Sequence, residues 1–135
     1  MNLPPPEPAI HVQARLSDEA YLKAISQIES GDNDSAVGLH GERSRYQIKP
    51  LVWHRYTPSQ KFTDPDVARF IARKHLRHIR AILAGGGVRE TPKIVGMFWR
   101  LGETRCYPIF QGKHIIMSDD EHSYCERFAN LINAK

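Results

Sequence analysis

The stretch Ala24-Ile25-Ser26-Gln27-Ile28-Glu29-Ser30-Gly31-Asp32-Asn33-Asp34-Ser35-Ala36-Val37-Gly38 passes abruptly from a helical pattern to a turn-forming one. At ~100° per residue, the segment from Ser17 to Ser30 gathers Tyr21, Leu22, Ala24, Ile25 and Ile28 into one apolar arc. Lys23, Ser26, Gln27 and Ser30 fall opposite. Ser17 is placed to cap this helix, Asp18 and Glu19 suit its first turn, and Gly31 is placed to end it. Glu29 lands inside the apolar arc, between Ile25 and Leu22. Carboxylates are seldom buried without a reason; desolvation disfavours the charged form and raises the pKa, and a carboxyl protonated near neutral pH is a general acid. The helix alone leaves a second reading open, in which Glu29 swings outward at a fraying end or pairs with an arginine.

Outward from that stretch, residues 32–48 are dense in Gly, Asn, Asp and Ser around Gly38, Gly41 and Tyr46-Gln47-Ile48, which predicts a small irregular hairpin. Lys49-Pro50-Leu51-Val52-Trp53 opens a short helix with proline at its first position, and a loop runs from Thr57 to Asp64. A long amphipathic helix spans Pro65 to Leu83, stopped by Gly85-Gly86-Gly87. Its apolar side carries Val67, Ala68, Ile71, Ile79, Ile82 and Leu83, and Arg69, Arg73, Arg77 and Arg80 form a stripe on the other, read as a solvated face. The helix from Thr91-Pro92 through Leu101 is apolar almost all round, as a helix through a core should be. Glu103 to Met117 reads as a long loop or short extended pieces, and Ser118-Asp119-Asp120-Glu121 is a capping-box pattern opening a last helix to Ile132. The fold class is α+β and mostly α-helical, with one small β-hairpin lobe facing a helical core across a cleft.

A chain of 135 residues supports one domain with a sizeable core. Residues 1–14, with Pro4, Pro5, Pro6 and Pro8, read as a disordered arm, and residues 15–135 as the domain. Hydrophobic residues at 41% and charged residues at 25% are ordinary for a folded domain. No segment approaches a transmembrane span, and no signal peptide is visible. A net charge of +4 favours anionic partners such as nucleic acid, anionic lipid or cell-wall polymer without choosing among them. Cys106 and Cys125 permit one disulfide and equally allow two free thiols, Cys125 sharing an apolar helix face with Tyr124, Phe128 and Ile132. His75 and His78, three positions apart on the apolar side of their helix, are read as core histidines, each with a hydrogen bond, rather than as metal ligands. No cofactor is expected.

With Gly41-Glu42 and Tyr46-Gln47-Ile48-Lys49-Pro50-Leu51-Val52-Trp53 added, the opening stretch resembles the lysozyme-like superfamily, nearest the lytic transglycosylase and goose-type lysozyme branch. The likeness covers residues 20–53; residues 65–102 fit only by pattern, and 103–117 have no counterpart. The resemblance implies a lysozyme-like catalytic domain that cleaves the β-1,4 link between N-acetylmuramic acid and N-acetylglucosamine, by hydrolysis or transglycosylation, with Glu29 as general acid. It implies substrate-side roles for Ser30 beside the acid and for Gln47 in the cleft, and it lets Tyr46 offer a ring face or hydroxyl to the sugar. Trp99 is a further substrate-binding candidate. The pattern's Tyr-Asn pair in a later helix is replaced here by Phe98-Trp99-Arg100-Leu101-Gly102, so the usual clamp is changed or absent.

An ordinary glycosidase uses two carboxylates. Glu42 on the hairpin is the best second one; Asp32 and Asp34 sit in a polar turn with Asn33 and Ser35 and suit turn formation better. With Glu42 turned to solvent, Glu29 works alone and the transglycosylase route follows. The expected partner is peptidoglycan or a related amino-sugar polymer, met by a monomer exported to the periplasm or cell exterior if a leader has been removed. The competing reading is a non-catalytic glycan- or protein-binding module on the same fold. No nucleic acid partner is expected, because the arginine stripe has no interleaved aromatics.

Overall fold

The first helix forms because both of its ends are satisfied locally. In the computed structural model, which describes residues 15–134, α1 runs Asp18–Ser30 with Ser17 Oγ accepting from Ala20 N, and Gly31, at φ 62°, donates its N–H to Gln27 and Ser26. Its buried face is Tyr21, Leu22, Ala24, Ile25 and Ser26. Ser26 departs from the polar side the spacing gives it, because its hydroxyl is covered by Asp32, whose carboxylate it bonds. α2 is the single turn Pro50–Trp53. α3, Pro65–Gly85, is capped by Asp64, which accepts from Asp66 N and Val67 N, and runs slightly past the predicted end. α4, Pro92–Leu101, is capped by Thr91. α5 is Glu103–Cys106, followed by a 3-10 turn at Tyr107–Gln111. α6, Asp119–Asn133, opens on the predicted capping box, with Ser118 and Glu121 bonding each other's backbone.

The chain is mostly helical. Where the sequence predicts a hairpin, two isolated antiparallel bridges occur, Val37 with Arg43 and Arg43 with Ile48, and no strand forms among the described residues. The physical reason lies in the backbone: Ser44 at φ 72° and Gln47 at φ 51° take left-handed conformations beside Gly41, which interrupts any extended run. The segment is held instead by polar ties, Asp34 to Arg45 in a two-pronged ion pair at 2.7 and 2.9 Å and Ser30 Oγ to Arg45 O at 2.8 Å. Residues 103–111, predicted as loop or extended, wind into helical turns that bury Cys106. Both cysteines are buried free thiols, and burial pushes the Cys106 thiol up to about 12.

α6 packs against α4 and α1, while α3 backs α1 and α4. Phe128 is the hub: its ring stacks on Tyr21 at 6.2 Å and Tyr124 at 6.3 Å, and it presses on Gly96 of α4. A Cβ added at Gly96 would sit 2.7 Å from the Phe128 ring, which has no room to retreat at 0% exposure. Gly96→Ala is therefore expected to cost about 1–3 kcal/mol through overpacking, read as a lowered urea midpoint with unchanged slope. Trp53 is wholly buried against Phe62 and donates its indole N–H to Ser59 O at 2.8 Å. Among the described residues, no helix is long and apolar enough to cross a membrane.

The arginine stripe is claimed by α1. Arg69 and Arg73 both bond Glu19, Arg77 Nε reaches Asp18 at 2.9 Å, and Arg80 Nη1 reaches Asp18 at 2.8 Å. Burial pushes the Asp18 carboxyl up, but the hydrogen bonds from Arg77 and Arg80 outweigh it and leave it below the ordinary carboxylate range. Arg69, Arg73 and Arg77 keep much of their side chains in solvent, as a solvated face does, while pairing with α1; Arg80 departs from that reading, because it is buried between Asp18 and Glu90.

Candidate active site

Three elements converge on Glu29. α1 delivers it in its last turn, directly before the left-handed Gly31 that swings the chain into the polar segment. α6 contributes Tyr124, and α4 contributes Arg100, whose guanidinium lies over the Tyr124 ring, 5.5 Å from its centroid. Glu29 is partly buried, and desolvation raises its pKa above the ordinary carboxyl range; the Glu42 charge pushes the same way, while the Tyr124 hydroxyl and Arg100 oppose the rise. Tyr124 Oη lies beside the carboxyl without closing a well-formed hydrogen bond and has no other partner. Burial, and then Glu29, hold the Tyr124 phenol well above its usual pKa, so it stays a donor.

The polar segment supplies the second half. Glu42 and Gln47 meet over Gly38, where a Cβ would lie 1.9 Å from Glu42 Oε2 and 2.6 Å from Gln47 Oε1. Glu42 Oε1 is buried with no hydrogen-bond partner. The Gln47 amide donates to Ser44 O at 2.8 Å and Ala36 O at 3.2 Å, which leaves its own oxygen turned toward Glu42 and Gly38. A buried carboxylate oxygen lacking a donor is costly, and Glu42 carries one within electrostatic reach of Glu29. Gly38→Ala meets only the ends of flexible side chains, so we expect a stability loss under about 1 kcal/mol together with displacement of Glu42. The check is thermal melting in parallel with the pH dependence of any glycan-cleaving rate, whose alkaline limb should move to lower pH as the Glu42 charge leaves Glu29.

The remaining predicted residues are placed differently from one another. Ser30 Oγ is fully engaged, donating to Arg45 O and accepting from Asn33 N at 3.0 Å, so it fixes the segment to the helix end. Tyr46 departs from a sugar-facing role: at 5% exposure its ring belongs to the core, because Ser44 Oγ turns the backbone inward by accepting from Tyr46 N. Trp99 is half-buried and donates its indole N–H to Tyr46 O at 3.1 Å, a tie between α4 and the polar segment. Phe98 is in the core against Phe110. Asp32 and Asp34 are bound to Ser26 and Arg45, as turn-formers.

The sequence reading passes over Tyr124 and Arg100 as site members. A hydroxyl on the buried face of the last helix is the signal available for Tyr124; for Arg100 it is the cation that stands in place of an amide.

Behind Trp99, His75 Nδ1 lies 2.8 Å from the Tyr56 hydroxyl and His78 Nε2 lies 2.7 Å from Glu103. Burial, with His78 adding to it, lowers His75 to about 4, so its ring is neutral and each histidine has a protein partner. Among the described residues no group of three or more His, Cys, Asp or Glu is placed to hold a metal ion. Two surface hollows lie away from Glu29: one of about 390 Å³ beside Arg15, Asp18, Arg77 and Arg80, the other of about 100 Å³ beside Met97, Met117 and Cys125. No protein-family model, curated protein or solved structure matches the chain.

Proposed function

We propose that this chain is a glycosidase of lysozyme or lytic transglycosylase type, on a lysozyme-like fold, that cleaves the glycan strand of peptidoglycan between N-acetylmuramic acid and N-acetylglucosamine. The observation that carries the reading is Glu29: a desolvated carboxyl of raised pKa at the lip of a polar segment, with a second carboxylate, Glu42, near enough to act on its charge. A carboxyl whose pKa is raised keeps its proton further up the pH scale, the direction that favours protonation of a glycosidic oxygen. As the bond breaks, Glu29 becomes a carboxylate, and the Tyr124 hydroxyl and Arg100 are the groups that steady it. In the hydrolytic route Glu42 is the second carboxylate, the group that would act on an attacking water. In the transglycosylase route Glu29 itself takes the proton back from the sugar's own hydroxyl as the anhydro ring closes.

One observation favours the second reading, a non-catalytic binding module. Phe98 is buried and Trp99 is tied to Tyr46, so α4 supplies neither a hydroxyl nor an amide to clamp a sugar. Incubation with purified peptidoglycan separates the two. Release of soluble muropeptides is expected, with anhydro products lighter by one water than hydrolysed ones; saturable binding with no release supports the module, and neither outcome rejects both.

A further inference from the structure

Arg43 over Phe62, Lys74 over Phe70 and Arg100 over Tyr124 are cations seated on aromatic rings without an ion pair among the described residues, and of the three Arg100 is the one that acts on the charge of Glu29. Arg69, Arg73, Arg77 and Arg80 are bound to Asp18, Glu19 or Glu90, and Arg45 to Asp34, whereas Arg100 makes no ion pair among the described residues. It is exposed, yet its guanidinium is seated over the buried Tyr124 ring rather than left to wander. A cation held on an aromatic face surrenders less freedom when it binds an anion, and the planar guanidinium matches a carboxylate with two parallel hydrogen bonds. Glu29, whose pKa the Arg100 charge helps to hold down, makes no ion pair with it. The site therefore presents a desolvated carboxyl and a pre-positioned cation, linked through Tyr124.

We propose that Arg100 reads a carboxylate on the substrate next to the scissile bond, and so selects anionic over neutral amino-sugar strands. This rests on the glycan-cleaving reading of the Glu29 site. Peptidoglycan offers that chemistry from two sources, the lactyl substituent of a strand stripped of its peptides and the acidic groups of the stem peptides. The Arg100 charge acts on Glu29, the group that would protonate the bond, and the lactyl carboxylate lies nearer to that bond than the stem-peptide acids do.

The test uses the full chain with three strands: peptide-free strands with free lactyl carboxylates, the same strands after conversion of those carboxylates to methyl amides, and strands with peptides attached. Binding is measured by calorimetry and cleavage by product release. Wild type should prefer the carboxylate strand to the amidated one by roughly ten- to a hundredfold, the range of a charge-assisted hydrogen bond. Arg100→Gln should collapse that ratio toward one, and Arg100→Lys should retain part of it. A merely structural role would move both strands equally and leave the ratio intact, which overturns the proposal. Preference for the peptide-bearing strand alone overturns the lactyl assignment. Carboxylate-selective binding without cleavage would sink the catalytic reading and keep this inference; cleavage indifferent to the carboxylate would do the reverse.

Discussion

Glu29→Gln is expected to lower muropeptide release by ~10²- to 10⁴-fold, the contribution of a positioned general acid. The amide keeps the shape of the side chain and cannot give up a proton to the glycosidic oxygen. Release at an unchanged rate would end the proposal. The same substitution should not unfold the protein. A group whose folded pKa is raised favours the folded state below its unfolded value, ordinarily 4.5, and that contribution is lost as pH rises through the folded pKa. Relative to Glu29→Gln, wild type should therefore lose stability on going from acid to neutral pH, and the variant should melt at least as high as wild type at pH 7. A lower melting point for the variant at pH 7 would mean that Glu29 is not desolvated.

With Glu29 as the proposed general acid, kcat/KM should fall as pH rises through its raised pKa. Burial is the main cause of the rise, with the Glu42 charge behind it and the Tyr124 hydroxyl opposed. Tyr124→Phe should therefore carry the alkaline limb to higher pH, and Glu42→Gln should carry it to lower pH. The opposed directions matter, because general loosening of the site would send both limbs the same way.

How much of this is legible in the chain follows from what each residue depends on. Ser17, Asp64-Pro65, Thr91-Pro92 and Ser118-Glu121 announce helix starts because a cap is satisfied within its own turn. Glu29 is readable for the same reason, since its place in an apolar arc is a matter of helical period. The polar segment is not, because whether Tyr46 faces sugar or core turns on Ser44 and on Trp99, which arrives from α4. Cys106 is drawn into a helical turn by burial beside Met97, whose carbonyl lies 3.6 Å from its sulfur; nothing local to residues 103–111 signals it. Tyr124 and Arg100 have ordinary local explanations and become site residues only when α4 and α6 meet at the end of α1. Hydrophobic period and capping are local, and the site is made by contacts between elements distant in sequence.

Arg80 shows the same limit with the largest structural consequence. In the sequence it is one of four arginines on a helix face; in the fold its side chain is 6% exposed. It bonds Glu90 through Nε at 2.8 Å and Nη2 at 3.0 Å, Asp18 at 2.8 Å and Leu16 O at 2.6 Å, and it lies over the Tyr21 ring. Tyr21 Oη donates to the same Glu90 at 3.1 Å, so one guanidinium ties α3, the residues ahead of α1 and the Glu90 loop together. Arg80→Ala leaves Glu90 without its ion-pair partner, takes one of the two arginines from Asp18, and opens a void beside Tyr21. Breaking a buried pair from one side costs about 3–5 kcal/mol, which for a domain of this size is a fall of roughly 10–20 °C in Tm. Arg69→Ala removes an exposed pair on the same face and should cost less than about 1 kcal/mol. Adding Glu90→Gln to an Arg80→Met background should recover part of the loss, because the penalty comes from the unpaired charge more than from the missing bond. Equal, small losses for Arg69→Ala and Arg80→Ala would show that Arg80 belongs to a solvated face after all. Arg80 sits at the start of α1 and Glu29 at its end, ~16 Å along the axis at 1.5 Å per residue. Arg80→Met should therefore lower the Tm and leave the pH limb set by Glu29 where it is, which separates stability from chemistry along one helix.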